Sequence, residues 1–223
     1  MGINNTMDNP DLSTAPTGEL LPLVLASSSP YRKKQLESLS IPFLTEAANI
    51  QENQHTNEGL KKMAGRLSVE KAHALGGYYP QHLIIGSDQV ATLSNKSGSI
   101  LGKPGDFNRA FQQLRQASGN TVLFHCGLSL LNTRTGLCQQ KVETVKVKFR
   151  QLSDAQIENY LTIEQPYDCA GSFKSEGPGI CLIEKIECRD FNALIGLPLM
   201  ALVDMLANEG MVIPIITTDN AEA

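Results

Sequence analysis

The sequence predicts an α/β protein in which a mixed, twisted sheet is flanked by helices and includes an antiparallel hairpin. Short apolar segments typical of buried strands alternate with segments whose apolar residues recur at helical spacing. Two longer strand candidates, 121–131 and 137–150, are separated only by a short polar turn, which is typical of a hairpin. A chain of 223 residues, of which 41% are hydrophobic, is long enough to bury a substantial core.

The first half of the chain alternates strands and helices. Its predicted elements are a strand at 23–26, a helix from Pro30 to about Leu39, a second strand before Glu52, a helix from Thr56 to about Leu75, a buried strand at 83–88 and a turn near 95–98. Ser29 is the expected N-cap of the first helix, because serine followed by proline suits the N-cap and first helical positions. The strand at 83–88 is expected to end at the carboxylate of Asp88.

The second half adds the hairpin and further helices. Its predicted elements are a helix capped by Asp106, the two hairpin strands, a helix after the capping box of Ser153 and Gln156, a glycine-punctuated loop at 171–179, a further strand and a last helix opened by Pro198. Apolar and cationic residues alternate near the end of the second hairpin strand, which predicts that one face of this strand is exposed to solvent.

The central part of the chain contains no repeat or long linker, which predicts a single domain at 21–213. Residues 1–20 and 214–223 lack hydrophobic periodicity and are expected to be flexible tails. Nineteen Lys and Arg residues against 23 Asp and Glu residues give a net charge of −4, without a basic run. A nucleic-acid polymer is therefore not an expected partner, because neutralising its phosphates requires a basic surface.

The cysteine pattern and the length of the apolar stretches indicate the cellular compartment in which the protein is expected. The five cysteines form no CxxC pair and are expected to be buried free thiols, and the four histidines do not occur at zinc-ligand spacing. No apolar stretch approaches the roughly 20 residues needed to cross a bilayer, and no signal-peptide pattern is found. The expectation is a cytoplasmic protein that is not attached to a membrane.

Several polar residues fall where strands are predicted to end or loops to turn, namely Ser27 to Arg32, Glu52, Asp88 with Gln89, Lys103 and Lys174 to Glu176. Two carboxylates among several cations, without histidine or cysteine, suggest a hard divalent metal next to phosphate groups. The alternative is that each residue separately caps a helix or solvates a loop. Lys71 lies in the apolar stripe of the second predicted helix. Two interpretations are open: its side chain extends past its neighbours to solvent, or its charge is directed into an anionic site.

Two common phosphate-binding motifs are absent from the sequence. Gly102-Lys103 is followed by Pro104 rather than Ser or Thr, which excludes a P-loop, and no GxGxxG follows the first strand. The segment from Asp88 to Thr92 is distantly similar to aspartyl-phosphate phosphatases, but Val90 stands at the position of their second aspartate.

A set of ordered segments resembles the Maf-like nucleotide pyrophosphatases over about residues 21–210. These segments are LASSSPYR at 25–32, EKA at 70–72, IGSDQV at 85–90, GKP at 102–104, GSFKSEG at 171–177 and GLP at 196–198. The SDQ and FKSEG segments are similar to the 7-methyl-GTP branch rather than to the dTTP and UTP branch. The resemblance implies a Maf/ITPase-like architecture with two lobes around a central cleft, a single catalytic domain and a possible homodimer.

The resemblance also implies a role in removing modified nucleotides, by hydrolysis of 7-methyl-GTP to 7-methyl-GMP and pyrophosphate. Asp88 corresponds to the family's catalytic base, and Glu52 with Asp88 would hold Mg²⁺, Mn²⁺ or Co²⁺. Where relatives have Asp-Glu this chain has Gln51-Glu52, and where they have Trp it has Tyr31.

The chemistry of the side chains suggests roles for the other candidate residues. The expected substrate-binding residues are Ser28, Arg32, Lys71, Lys103 and Lys174, and the expected specificity residues are Tyr31, Gln89 and Glu176. Two other functions remain open: a pyrophosphatase for pyrimidine or other modified nucleotides, and a regulator that binds nucleotides without hydrolysing them.

Overall fold

The structure is a computed structural model that describes residues 20–95 and 99–214. The tails predicted at 1–20 and 214–223 lie outside the described residues except for Leu20 and Pro214, and the turn predicted near 95–98 lies outside them except for Asn95. In the described ranges, no helix is long and apolar enough to cross a membrane.

Six strands form one mixed sheet with helices on both faces, as predicted. The strands are β1 (Leu23–Ala26), β2 (Phe43–Glu46), β3 (Leu83–Leu93), β4 (Thr121–Asn132), β5 (Cys138–Phe149) and β6 (Ile183–Glu187). The helices are α1 (Pro30–Glu37), α2 (Leu60–Gly76), α3 (Phe107–Ala117), α4 (Asp154–Glu164), α5 (Asn192–Ile195) and α6 (Leu199–Asn208). Two short 3₁₀ helices, Ala170–Ser172 and Gly177–Leu182, overlap the two ends of the segment 171–179 that was predicted as a loop.

The strand order is β2-β1-β3-β4-β5-β6. The β1 strand pairs in parallel with β2 and β3, and the remaining neighbours pair antiparallel, with β4 and β5 forming the predicted hairpin. The pairing between β1 and β3 ends at Leu25 and Ile85, whereas β3 continues along β4 to Leu93. Beyond the end of β1, one edge of β3 is therefore not covered by a parallel neighbour.

Side chains of β1 and β3 alternate between two helical layers. Leu25 and Ile85 pack in one hydrophobic cluster with α6, and Ala26 and Ile84 pack in another with Ala72 of α2. Because side chains alternate along a strand, Asp88 has the same parity as Ile84 and faces α2, whereas Gln89 lies on the opposite face. A separate core cluster packs α3 and α4 against the other half of the hairpin.

The course of β3 corrects the prediction that its strand ends at Asp88. The strand runs five residues further, because Val90, Ala91 and Leu93 are buried and pair with β4. Asp88 therefore lies in the middle of a strand, and its access to a ligand results from the early end of β1.

Other differences from the prediction are smaller. The α2 helix begins at Leu60 rather than Thr56. The five cysteines are free, as expected, but of these Cys126 alone is buried, since Cys138 and Cys169 are partly exposed and Cys181 and Cys188 are exposed.

An ion pair fastens the segment before α2 to the helix itself. Arg66 donates from Nε and Nη2 to the two carboxylate oxygens of Glu58, each at 2.7 Å, and from Nη2 to the carbonyl of Asn53 at 2.9 Å. The hydrogen bonds from Arg66 outweigh the effect of burial and lower the pKa of Glu58 from 4.5 to about 2. The pair holds in place the segment that follows Glu52.

We expect Glu58→Gln to lower the free energy of unfolding by about 2 kcal/mol near neutral pH, because the substitution removes charged hydrogen bonds. A carboxylate whose pKa is lower in the folded state stabilises the protein above its unfolded pKa. The difference between wild type and variant should therefore shrink as the pH falls from 4.5 toward about 2. Urea unfolding of both proteins across this pH range measures the difference in their free energies of unfolding. Glu37→Gln is the control, since the side chain of Glu37 forms only an exposed ion pair with Lys33. Equal effects of the two substitutions would contradict a stabilising role for the ion pair between Glu58 and Arg66.

Candidate active site

A cleft of about 540 Å³ opens beyond the carboxyl end of β1, and all ten predicted site residues line it. They are Ser28, Tyr31, Arg32, Glu52, Lys71, Asp88, Gln89, Lys103, Lys174 and Glu176. The cleft is also lined by Asp168, Cys169 and Leu194, which the sequence analysis did not single out. The lining residues come from both sides of the sheet, since they include parts of α2 and of α5 as well as the segment that precedes α1.

The centre of the cleft is a lysine between two carboxylates. Lys71 Nζ lies 2.6 Å from Asp88 Oδ1 and 2.7 Å from Glu52 Oε1. Asp88 and Lys71 are buried, with 8% and 10% of their side chains exposed, whereas Glu52 is 55% exposed. Lys71 is thus directed into an anionic pair and not to bulk solvent.

The two carboxylates have pKa values that are shifted in opposite directions. Burial raises the pKa of Asp88, and the charge of Lys71 and its hydrogen bond offset this only in part. For Glu52 burial acts in the same direction, toward a higher pKa. The hydrogen bond and charge of Lys71, together with the charges of Lys103 and Arg32, outweigh burial, so that the pKa of Glu52 is lowered. Asp88 is therefore the better proton acceptor of the pair.

Arg32 is held at the start of α1. Ser29 is the predicted N-cap, and its Oγ accepts from the backbone N–H of Arg32 at 3.4 Å. The guanidinium donates from Nε to Gly196 O at 2.8 Å and from Nη1 to Ser27 Oγ at 3.4 Å. A guanidinium has five N–H donors, so most of them have no acceptor among the described residues and can bind an anion.

Gln89 is oriented by two backbone carbonyls. Its Nε2 lies 2.9 Å from Ala193 O and 2.9 Å from Leu194 O, so both amide hydrogens are used. The remaining polar atom of the side chain, Oε1, can only accept a hydrogen bond. Gln89 therefore offers the cleft an acceptor, which the sequence alone could not indicate.

Tyr31 and Lys174 form the other end of the cleft. Lys174 Nζ lies 5.3 Å from the centre of the Tyr31 ring and 3.0 Å from Glu164 Oε1. Tyr31 Oη donates to Asp168 Oδ1 at 3.3 Å. Burial raises the pKa of Tyr31, which keeps the hydroxyl protonated as this hydrogen bond requires. Lys174, predicted to bind substrate, therefore lies beside the Tyr31 ring with its charge paired to Glu164.

Three predicted residues lie at the exposed rim of the cleft. Ser28 and Lys103 are exposed, and Lys103 is near enough to lower the pKa of Glu52. Glu176 is exposed and accepts a hydrogen bond from Ser175 Oγ at 2.9 Å. These side chains can reorient toward a ligand at little cost, because most of their surface is in solvent.

The carboxylates of the cleft are the candidate ligands for a divalent cation. Across residues 20–95 and 99–214, no three His, Cys, Asp or Glu side chains form a cluster that could hold a metal ion. Mg²⁺ in phosphate-processing sites is usually held by one or two carboxylates together with substrate phosphates. Glu52 and Asp88 fit this arrangement, in which the cation binds jointly with the substrate.

The chain matches the sequence model of one protein family and is similar in sequence to several named proteins. The model for the family described as Maf-like protein matches residues 22–209. A 7-methyl-GTP pyrophosphatase of Pseudomonas savastanoi pv. phaseolicola is 52% identical over 192 residues, covering 86% of this chain and 98% of the relative. A 7-methyl-GTP pyrophosphatase of Alcanivorax borkumensis is 50% identical over 193 residues, covering 86% of this chain and 96% of the relative.

A solved structure is also similar. The Staphylococcus aureus Ham1 protein matches with a TM-score of 0.39 and 12% identity, over 58% of this chain and 72% of that chain.

Proposed function

The chain belongs to the Maf-like protein family, and we propose that it is a metal-dependent pyrophosphatase that hydrolyses 7-methyl-GTP to 7-methyl-GMP and pyrophosphate. The observation that carries the proposal is the buried Asp88 carboxylate in contact with Lys71 on the wall of the cleft. A proton acceptor for the attacking water and cationic groups for the phosphate oxygens suit cleavage of a nucleoside triphosphate, and an aromatic side chain in the same cleft suits binding of the base.

Binding of the triphosphate depends on the cations. Four negative charges on a triphosphate would be repelled by Asp88 and Glu52, and Lys71 offsets this repulsion because it contacts both carboxylates. Arg32 and Lys103 bind the phosphate oxygens, and the backbone N–H groups at the start of α1 add further donors.

The chemical step is attack of water on the α phosphorus. Asp88 accepts a proton from the water as its oxygen forms a bond to this phosphorus. The bond between the α phosphorus and the bridging oxygen to the β phosphate breaks, and pyrophosphate leaves with the bonding electrons. Arg32 and Lys103 stabilise the charge on the leaving group. Glu52 and Asp88 would hold the divalent cation, which supplies Lewis-acid stabilisation of phosphoryl charge when bound.

Preference for a methylated base follows from local charge. Guanine methylated at N7 carries a positive charge, and the end of the cleft near Tyr31 holds Asp168 and Glu176. Lys174 is neutralised by Glu164, so the two other carboxylates leave this end net negative. The face of the Tyr31 ring adds a π surface for a cationic ring.

We expect Tyr31→Ala to lower kcat/KM for 7-methyl-GTP by about 2- to 30-fold, the equivalent of about 0.5–2 kcal/mol, with a smaller loss for GTP. Tyr31→Trp should raise the preference for the methylated base, because indole offers a larger π face. Steady-state rates with both nucleotides measure the ratio. Tyr78→Ala is the control, as Tyr78 is 79% exposed and lies outside the cleft lining. An unchanged ratio in both Tyr31 variants would refute stacking by this residue.

The function itself is tested by pyrophosphate release from a panel of nucleotides with Mg²⁺, Mn²⁺ and Co²⁺ in turn. We expect 7-methyl-GTP to be hydrolysed faster than GTP, and chelation of divalent metals to abolish turnover. Equal rates for these two nucleotides would contradict the proposed selectivity, and faster turnover of pyrimidine nucleotides would support the alternative substrate class. Binding without pyrophosphate release would support a regulator.

A further inference from the structure

A buried carboxylate outside the cleft ties together the two ends of the segment that carries α5. Asp190 is 1% exposed. Its Oδ1 accepts from the backbone N–H and the side-chain amide of Asn192, at 2.9 and 3.0 Å, and its Oδ2 accepts from the backbone N–H of Met200 at 2.8 Å. One side chain thus joins the start of α5 to the first turn of α6.

The backbone between these two points holds side chains of the candidate active site. Gly196 O accepts from Arg32 Nε at 2.8 Å and lies 2.8 Å from Ser87 Oγ. Ala193 O and Leu194 O accept from Gln89 Nε2, as described above. Three backbone carbonyls of one short segment therefore contact the side chains of Arg32, Gln89 and the residue before Asp88.

Asp190 holds this segment together with Gln35, whose Nε2 donates to Asn192 O at 2.9 Å, and with the buried side chains of Ala193 and Leu197. The α5 helix has only four residues, which is too short to be stable by itself, and neither α5 nor α6 has a side-chain N-cap hydrogen bond from its own N-cap residue. Gly196 adopts a φ of 133°, and an added Cβ would lie 3.4 Å from Arg32 Nε. The carbonyl that holds Arg32 is thus part of an unusual backbone conformation that the flanking hydrogen bonds must maintain.

We propose that Asp190 is a positioning residue that orients Arg32 and Gln89 through the backbone carbonyls of residues 193, 194 and 196. The effect on Arg32 is to direct its remaining N–H donors at phosphate oxygens. The effect on Gln89 is to turn its Oε1 toward the cleft, where it accepts from a donor of the nucleotide such as a ribose hydroxyl or a guanine N–H. This inference rests on the proposed function, since it assigns these two side chains to nucleotide binding.

The test is a binding measurement that does not require turnover. The probe is an analogue of 7-methyl-GTP with a methylene bridge between the α and β phosphates, and its Kd is measured for folded proteins. We expect Asp190→Asn to weaken binding by about tenfold, because an amide cannot accept all three hydrogen bonds and the displaced carbonyls misplace both side chains. In an R32A/Q89A background, which lacks the side chains on which Asp190 acts, the same substitution should change Kd by less than about twofold.

A matched control separates positioning from general loss of stability. Asn132 is 3% exposed and closes the turn after β4 by accepting from the N–H groups of Arg134 and Thr135. Asn132→Ala should lower the melting temperature without changing Kd. The inference is overturned if Asp190→Asn leaves Kd unchanged, or if it weakens binding equally with and without Arg32 and Gln89. A wild-type protein that binds the analogue but releases no pyrophosphate would instead refute the proposed function. Analogue binding by the four proteins with and without Asp190→Asn could still be measured in that case, so the two failures are distinguishable.

Discussion

Replacement of Asp88 by Asn is expected to reduce pyrophosphate release by at least about 10³-fold while the protein remains folded. The amide keeps nearly the same shape but cannot accept the proton from water. Burial raises the pKa of Asp88, so the carboxylate is a stronger base than an exposed one, and this property is lost in the variant. Lys71 retains its contact with Glu52, which limits the structural consequences. Turnover is measured by pyrophosphate release under saturating nucleotide.

Asp154→Asn is the matched control for this substitution. Asp154 is an exposed aspartate in the first turn of α4, outside the cleft lining, and its loss should leave turnover unchanged. Melting of both variants, followed by circular dichroism, shows whether either has unfolded. Undiminished turnover in a folded Asp88→Asn protein would remove Asp88 from the role of base.

The second large effect is expected at Gly86, which lies on the face of β3 that packs against α2. A Cβ at this position would lie 2.0 Å from the carbonyl oxygen of Ser68 and 2.9 Å from the backbone nitrogen of Ala72. Backbone atoms of a helix cannot move aside without shifting the whole helix. We expect Gly86→Ala to lower the free energy of unfolding by about 3 kcal/mol and to reduce activity as well, because α2 carries Lys71.

Urea unfolding and pyrophosphate release measure the two consequences of this substitution. Gly77→Ala is the control, since a Cβ there would have no neighbour within 4 Å and its φ of −74° suits any residue. The control should change the free energy of unfolding by less than about 0.5 kcal/mol. If the Gly86→Ala and Gly77→Ala proteins had the same free energy of unfolding, the close packing of α2 on Gly86 would not contribute to stability.

Local signals in the sequence account for the features that were predicted well. Ser29 before Pro30, Asp106 and the capping box of Ser153 with Gln156 all cap helices as expected. Each of these patterns acts within a few residues, so its structural effect does not depend on the rest of the chain. Lys71 was also recognisable, because a cation in an apolar helical stripe must find an anionic partner or reach solvent.

Features that depend on contacts between distant segments were not predictable in this way. The continuation of β3 past Asp88 depends on its pairing with β4, and a polar pair inside a strand resembles a strand end in sequence. The pairing of Lys174 with Glu164 beside Tyr31 joins three parts of the chain. Likewise, nothing local to Asp190 indicates that it fixes the backbone to which Arg32 and Gln89 are bound.

The most direct test of the central claim is hydrolysis of 7-methyl-GTP in water enriched in ¹⁸O, with both products examined by mass spectrometry. Attack of water on the α phosphorus, assisted by Asp88, predicts one ¹⁸O atom in 7-methyl-GMP and none in pyrophosphate. Label in pyrophosphate would mean that water attacks the β phosphorus, and the mechanism derived from this cleft would be contradicted.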